Sequence, residues 1–307
     1  MSAQNLDTPM GYIENLMKKI ELPQEAQEAL MAAGTRVFSD PALAEVFDRL
    51  RRDFYDFEIG ILEALEELAE LEESSGIQKY VLHFLYLVWC CEVMQKNYRA
   101  EGIPEEIFWD TVEDFRCKLL ECYAVEGVWG TFVGTWYADF FAMSRFALGR
   151  FQYELVYWAK EPYTRAGYTV KKGDKAYNFH IPSSGKPFDK QGRLASYKRA
   201  YDFYRCAEQG KPLVLVCDSW LLYKGHEEFL PEQSNIRDFM RDFDILDSRE
   251  HEEFKDAWRV FGKDAKLPPE QLPRNTSLQR AFADRLMAGK KTGSGYGVIV
   301  FDGENIL

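Results

Sequence analysis

No Cys-x-x-Cys pair, no long apolar run and no surplus of positive charge occur in this sequence, and each absence removes a class of protein. The 6 cysteines stand as the adjacent Cys90 and Cys91, as Cys117 and Cys122 five apart, and as the separate Cys206 and Cys217. That spacing offers no structural zinc site, and no metal is expected. The most apolar window, Tyr80 to Met94 with His83 inside it, is shorter than the roughly 20 residues a bilayer-spanning helix needs, so it reads as a buried helix. The opening MSAQNLDTPMGYIENL has no basic segment followed by an apolar core. No export signal is therefore expected, which places the chain in the cytosol with its thiols reduced. With 38 Lys and Arg against 50 Asp and Glu, the formal net charge is −12. This argues against a nucleic-acid duplex as partner, because that affinity depends on neutralising phosphates. A phosphate loop is missing too. AGKKTGSGYG has the look of one, but it follows a helix and precedes a strand, the reverse of the required order, and reads as a glycine cap and a turn.

What is present suits two domains with real cores: 307 residues, 46% hydrophobic, 15% aromatic. Residues 1 to 147 read as wholly helical. MGYIENLMKKIEL and PQEAQEALMAAG are short helices, and Ser39 or Asp40 before Pro41 starts a run of over thirty residues that Gly60 breaks or bends. Glu66, Glu67, Glu70, Glu72 and Glu73 form its solvated acidic face. GIQKYVLHFLYLVWCCEVMQKNYRAEG and PEEIFWDTVEDFRCKLLECYAVEG follow as antiparallel helices. The aromatic segment VWGTFVGTWYADFFAMSRFALG then leads to a domain boundary near Gly149. The apolar surface of this helical part makes a homodimer plausible.

From residue 148 to 307 the period becomes extended. GRFQYELVYWA alternates like a strand. GYTVKKGDKAYNFHIP contains a turn at Lys172-Gly173-Asp174 and reads as a hairpin. The stretch Tyr177 to Phe243 organises the rest: strand, polar loop, helix with Tyr197, Tyr201 and Tyr204 on one side, buried strand Leu213 to Val216, loop, and helix SNIRDFMRDF. That order implies a right-handed crossover between parallel neighbours, with ligands beyond the carboxyl ends of the strands. HEEFKDAWRVFG is expected as another strand, SLQRAFADRLMAG as a helix and YGVIVFDG as the closing strand. The loop after the first strand, Ser183-Ser184-Gly185-Lys186, is either a surface turn or, with Lys186, Lys190 and Arg193, a local anion site.

The element order and the phrases LGRFQYE, HIP, CDSWLL, SNIRDF, WRVFG and SLQRA resemble bacterial acyltransferase-domain proteins, in which a helical N-acyltransferase N-terminal domain precedes a GNAT-like C-terminal domain. The resemblance covers most of the chain. It implies a two-domain α+β or α/β fold, all-helical and then a mixed sheet with helices on both faces. It also implies an acyl-CoA or acetyl-CoA co-substrate and transfer of the acyl group to an amine acceptor. Family members hold the CoA pyrophosphate on the loop after the central strand, which here is Ser183 to Arg193. The usual Gln/Arg-x-x-Gly-x-Gly/Ala signature is absent, and Ser183, Ser184, Gly185, Lys186, Gly192 and Arg193 are the nearest substitutes. A tyrosine on the following helix often serves as acid. SNIRDFMRDFDI has none, and Tyr223 is the replacement to consider, although a loop tyrosine is more often simply exposed.

The amine must lose a proton before attacking a thioester. His180 titrates in the right range, though a lone strand histidine is more often a hydrogen-bonded core residue. Glu154 and Asp218 on the flanking strands serve if burial raises their pKa, and Asp218 is equally a structural acceptor. Cys217 sits in an apolar run that gives it no nucleophile signature. Two functions remain: an acyl-CoA-dependent N-acyltransferase, or a catalytically silent GNAT-like module that binds a ligand or protein.

Overall fold

The computed structural model describes residues 8–307; the first seven, part of the stretch read for an export signal, lie outside that range. The chain divides into two compact units, one ending at Ser144 and the other running from Arg145 to Leu307.

The first unit is helical: α1 (Pro9–Lys19), α2 (Gln24–Ser39), α3 (Pro41–Tyr55), α4 (Ile61–Ser75), α5 (Lys79–Ala100), α6 (Glu105–Val112), α7 (Asp114–Glu126) and the single turn α8 (Ala138–Phe141). Asp40 caps α3, accepting from the Ala42 and Leu43 amides with Pro41 in the first turn. The long run breaks where Gly60 was read to break it. Phe57 takes a left-handed φ of 61°, and the Glu63 carboxylate reaches back 2.7 Å to the Gly60 amide to start α4. α5 is buried on all sides from Phe84 to Cys91, and packs against α1, α2, α3, α4 and α6. Burial of each such large side chain is worth about 1.5–3 kcal/mol. His83 is structural here, its Nε2 2.8 Å from the Leu65 carbonyl. All six cysteines are free and buried, and burial pushes the Cys90 and Cys117 thiols up to about 12. They pack as small hydrophobes. Among the described residues no cluster could hold a metal ion, and no helix is long and apolar enough to cross a membrane.

The second unit contains β1 (Arg145–Leu148), β2 (Phe151–Tyr157), β3 (Tyr163–Arg165), β4 (Tyr168–Val170), β5 (Lys175–His180), α9 (Lys190–Phe203), β6 (Leu213–Ser219), α10 (Asn235–Met240), β7 (Asp244–His251), α11 (Ala257–Phe261), α12 (Ser277–Met287) and β8 (Thr292–Phe301). The main sheet has the order β1-β2-β5-β6-β8-β7, and β3 pairs only with β4. Every neighbour is antiparallel except β5 and β6, which are parallel because α9 carries the chain across between them.

One face of the sheet meets α9 and α10. Tyr197 lies against Phe151 and Phe301, and Phe239 against Phe151 and Phe179, with ring centroids 5.6–6.3 Å apart. On the other face Val214, Val216 and Val298 pack under Trp158 and Val170, flanked by Tyr163 and Tyr168. The β3–β4 hairpin covers this face and is fastened at its far side. The Tyr163 hydroxyl and the Arg165 guanidinium both donate to Asp244, and Arg165 Nε donates to the Leu307 carbonyl at 2.9 Å.

Four sequence expectations change. Arg145–Leu148, grouped with the helical segment, is β1: its four residues are all buried, so no alternation reveals it. The Lys172–Asp174 turn exists, with Gly173 at φ 90°, but it does not close a hairpin. That hairpin is β3–β4, turning at Ala166 and Gly167. HEEFKDAWRVFG is not a strand. β7 ends at His251, and Ala257–Phe261 is α11, with Arg259 paired to Asp256 at 3.0 Å. The TGSG of the false phosphate loop is not a turn either but the start of β8. Its glycines are demanded by close packing: a Cβ at Gly295 would stand 2.2 Å from the Leu222 carbonyl oxygen.

His226, in the 3-10 turn Lys224–Glu228, gives this unit an acid sensitivity. The ring is 1% exposed, stands edge-on to Trp220, Phe229 and Phe282 and lies 2.7 Å by Nε2 from the Trp220 carbonyl. Burial, aided by Arg285, pulls its pKa from 6.5 to about 4, against the opposing hydrogen bond to Trp220. The folded state therefore holds fewer protons than the unfolded chain between those values. The resulting stability is complete above pH 6.5 and is lost as pH falls toward 4, by about 3 kcal/mol. Urea unfolding across that window should show this slope, and His226→Gln, which keeps a donor for Trp220, should flatten it. Equal slopes in the two proteins would refute the assignment.

Candidate functional site

β5 and β6 are in register only at Tyr177–Leu215 and Asn178–Val216. Phe179 and His180 on one strand, and Cys217, Asp218 and Ser219 on the other, run on past the last pair, so the two strands part at their carboxyl ends. Parallel neighbours cannot be joined by a tight turn, and this parting lies where open α/β sheets take ligands.

At the mouth of the gap the registers bring five polar side chains to one face. Arg145 pairs with Glu154, Glu154 with Asn178, and Gln152 with His180. His180 Nε2 is 2.9 Å from Glu154 Oε1, and Asn178 Nδ2 donates to the same oxygen at 2.8 Å. Arg145 donates to Oε2 through Nε at 2.8 Å and Nη2 at 2.6 Å. The Arg145 side chain is only 6% exposed, and those of Glu154 and His180 are 19% and 26% exposed. Burial works to raise the Glu154 carboxyl. The hydrogen bonds from His180 and Asn178, the charge of His180 and the Arg145 guanidinium outweigh it and hold the pKa down at about 2.

Glu154 is therefore a fixed anion, and the expectation that burial would make it a base is corrected. A carboxylate only accepts, so His180 Nε2 must carry the hydrogen, and the lone pair of the neutral ring sits on Nδ1. The 3.2 Å approach of Asn178 Nδ2 to Nε2 then arises because both donate to one oxygen. This is a histidine whose tautomer is set by a carboxylate, the carboxylate in turn clamped by a guanidinium.

The other expected residues lie elsewhere. Asp218 pairs with Arg249 Nη2 at 2.7 Å, both side chains nearly half exposed. Tyr223 is not an exposed loop residue. It is 5% exposed, donates to Glu250 Oε1 at 2.8 Å and accepts from Arg285 Nη2 at 3.2 Å. Burial first, then the Glu250 carboxylate, raise its phenol. Cys217 is buried in its strand with its thiol raised by burial and by Asp218.

The loop after β5 divides. Ser183, Gly185 and Lys186 are exposed, Gly185 has φ 70°, and Ser184 Oγ accepts from the Lys186 amide at 3.3 Å. Arg150 braces the loop, donating 2.9 Å to the Pro182 carbonyl. Gly192 and Arg193 do not belong with it. The Gly192 amide is taken at 2.8 Å by Asp189, the cap of α9. Arg193 is wholly buried, bonded to Asp242 at 2.6 Å and Asp238 at 2.9 Å. No donor of that guanidinium faces solvent. Sequence reasoning missed Arg145, hidden in an unrecognised strand, and Asn178, which the two-residue strand period places beside His180.

Residues 146–299 match the model of the GNAT-like C-terminal domain, and residues 12–143 match the model of the N-acyltransferase N-terminal domain. No curated protein sequence matches the chain. Among solved structures, an acyltransferase in complex with decanoyl-CoA and teicoplanin is 22% identical, with a TM-score of 0.72 over 94% of this chain and 87% of that one. An acyltransferase in complex with decanoyl-CoA alone gives 22% identity and a TM-score of 0.71 over 94% and 86%. At that identity the likeness is one of fold.

Proposed function

The chain belongs to the proteins that join an N-acyltransferase N-terminal domain to a GNAT-like C-terminal domain, and from that membership we propose that it transfers an acyl group from acyl-CoA to an amine. The observation that carries the reading is the His180–Glu154 pair, 2.9 Å apart, where β5 and β6 part. The acyltransferase of the same fold that is described with decanoyl-CoA and teicoplanin supports it.

In this reading the thioester lies in the gap between the strands. The acceptor amine attacks its carbonyl carbon, a C–N bond forms, the C–S bond breaks, and the sulfur leaves as CoA thiolate. The proton shed by the amine passes to His180 Nδ1. Glu154, ionised throughout, stabilises the imidazolium through Nε2–H, which is how a fixed anion raises the basicity of a base in flight. The CoA phosphates lie against the loop Ser183 to Lys186, where Gly185 brings the backbone close and Ser184 Oγ already holds the Lys186 amide, with the Lys186 and Lys190 ammonium groups beside them. They stay clear of the first turn of α9, where Asp189 holds the Gly192 amide.

That acidic cap and the internal use of Arg193 favour a second reading, a GNAT-like module that has given up its cofactor. A thermal-shift titration with CoA, acetyl-CoA and decanoyl-CoA separates the two. A ligand at about 100 times its Kd adds about 2.7 kcal/mol, which for a chain of this size raises Tm by about 4 °C. Lys186→Glu should abolish the shift and leave the unliganded Tm unchanged. No shift with any of the three would reject acyl transfer and leave the binding module.

A further inference from the structure

A cavity of about 470 Å³ lies in the second unit at the far edge of the sheet, between α10, the 3-10 turn Lys224–Glu228 and the start of β7. Its size is that of small-molecule sites. It is made by a defect in an edge strand: β7 slips register against β8 between Ile245 and Asp247, so Leu246 bulges out and is 41% exposed. Met240, Phe243 and Ile245 line the apolar part.

The charges on its wall fall into two groups. Arg241 is engaged by Glu232 and Asp238, and Asp244 by Arg165 and Tyr163. Lys224, Arg237 and Glu227 also line the cavity, and among the described residues none of their side chains has an ion-pair partner. Two cations and one anion sum to one positive charge beside an apolar floor.

We propose that this cavity binds a monoanionic carboxylate with an apolar body, such as a medium-chain fatty acid. The carboxylate lies in the planar fork of Arg237, which suits two parallel hydrogen bonds, with Lys224 completing its neutralisation. The body lies on Met240, Phe243 and Ile245. A phosphate dianion fits less well, because Glu227 and Asp244 would face its second charge. The site is separate from the His180 gap and stands whether or not acyl transfer is correct.

Calorimetric titration of the full chain with octanoate, octanol and octylamine tests it. Octanoate should saturate one site, with no matching signal from the alcohol or the amine. Arg237→Gln should weaken octanoate at least tenfold and Lys224→Gln several-fold, both with unchanged Tm, since neither side chain is paired. Saturating CoA should leave octanoate binding in place. Equal binding of octanol, octanoate affinity unchanged in Arg237→Gln, no octanoate binding in the folded wild type, or its displacement by CoA would each overturn the proposal.

Discussion

Replacing His180 with alanine should lower kcat/KM for acyl transfer by about a hundredfold to ten-thousandfold, the range for loss of a positioned general base, while leaving the CoA-induced thermal shift intact. The two readouts separate because the imidazole lies on the strand, whereas the proposed phosphate contacts lie on the loop that follows it. Glu154→Gln should be nearly as damaging. A glutamine amide can donate to Nε2 and so drive the hydrogen to Nδ1, turning the basic nitrogen away from the substrate. It also replaces the carboxylate to which the Arg145 guanidinium, 6% exposed, donates twice with a neutral amide. Asn178→Ala removes only one of the donors to Oε1 and should cost far less. Release of CoA thiol, followed continuously with an amine acceptor in excess, gives all three values. A His180→Ala enzyme within a few-fold of wild type would remove His180 from the chemistry and return the base to a water or to another group.

Arg193→Met should destabilise the protein by about 3–5 kcal/mol, the cost of leaving a buried carboxylate without its partner. Asp242 is 4% exposed and is held by Arg193 and by the Tyr197 hydroxyl at 3.2 Å. Removing the guanidinium strands its charge between α9 and α10. Asp238 is 38% exposed and recovers its solvation, so the loss is concentrated at Asp242. Adding Asp242→Asn should restore most of the stability, because the stranded charge goes with it. Urea unfolding of the single and double variants measures this. A single-variant loss below about 1 kcal/mol together with weakened CoA binding would instead make Arg193 a phosphate ligand, as its place after the polar loop first suggests.

Arg193 also shows where the sequence stops being legible. A basic residue a few positions after a glycine-bearing loop looks like part of an anion site. Its true partners, Asp238 and Asp242, come one strand and one helix later, and no local pattern announces that pairing. β2, β5 and the tyrosine-striped α9 were readable because partial burial leaves a periodic trace, and β6 and the end of β8 because a longer apolar run between turn signals reads as a buried strand. β1 was not, since RFAL is only four residues long and opens on an arginine, too short for a period or an apolar run to show. Nor was β7, whose polar DSREH lies on an exposed edge. His180 and Glu154 were each visible as candidates, but their pairing depends on the β2–β5 register. The reversal of the expected Glu154 shift depends first on the hydrogen bonds from His180 and Asn178, set by the same register, and last on Arg145, in a strand that was not seen.

The strand order carries a consequence for how the chain is made. β8, last of the strands in sequence, is inserted between β6 and β7, so it is a central strand. Until β8 has been made, β6 presents an open edge, apolar over Leu213 to Cys217, and β7 has no neighbour to pair with. The sheet closes only when β8 is in place. Until then the nascent domain offers the kind of unpaired edge on which other chains add, and it depends on its last strand for solubility as much as for stability.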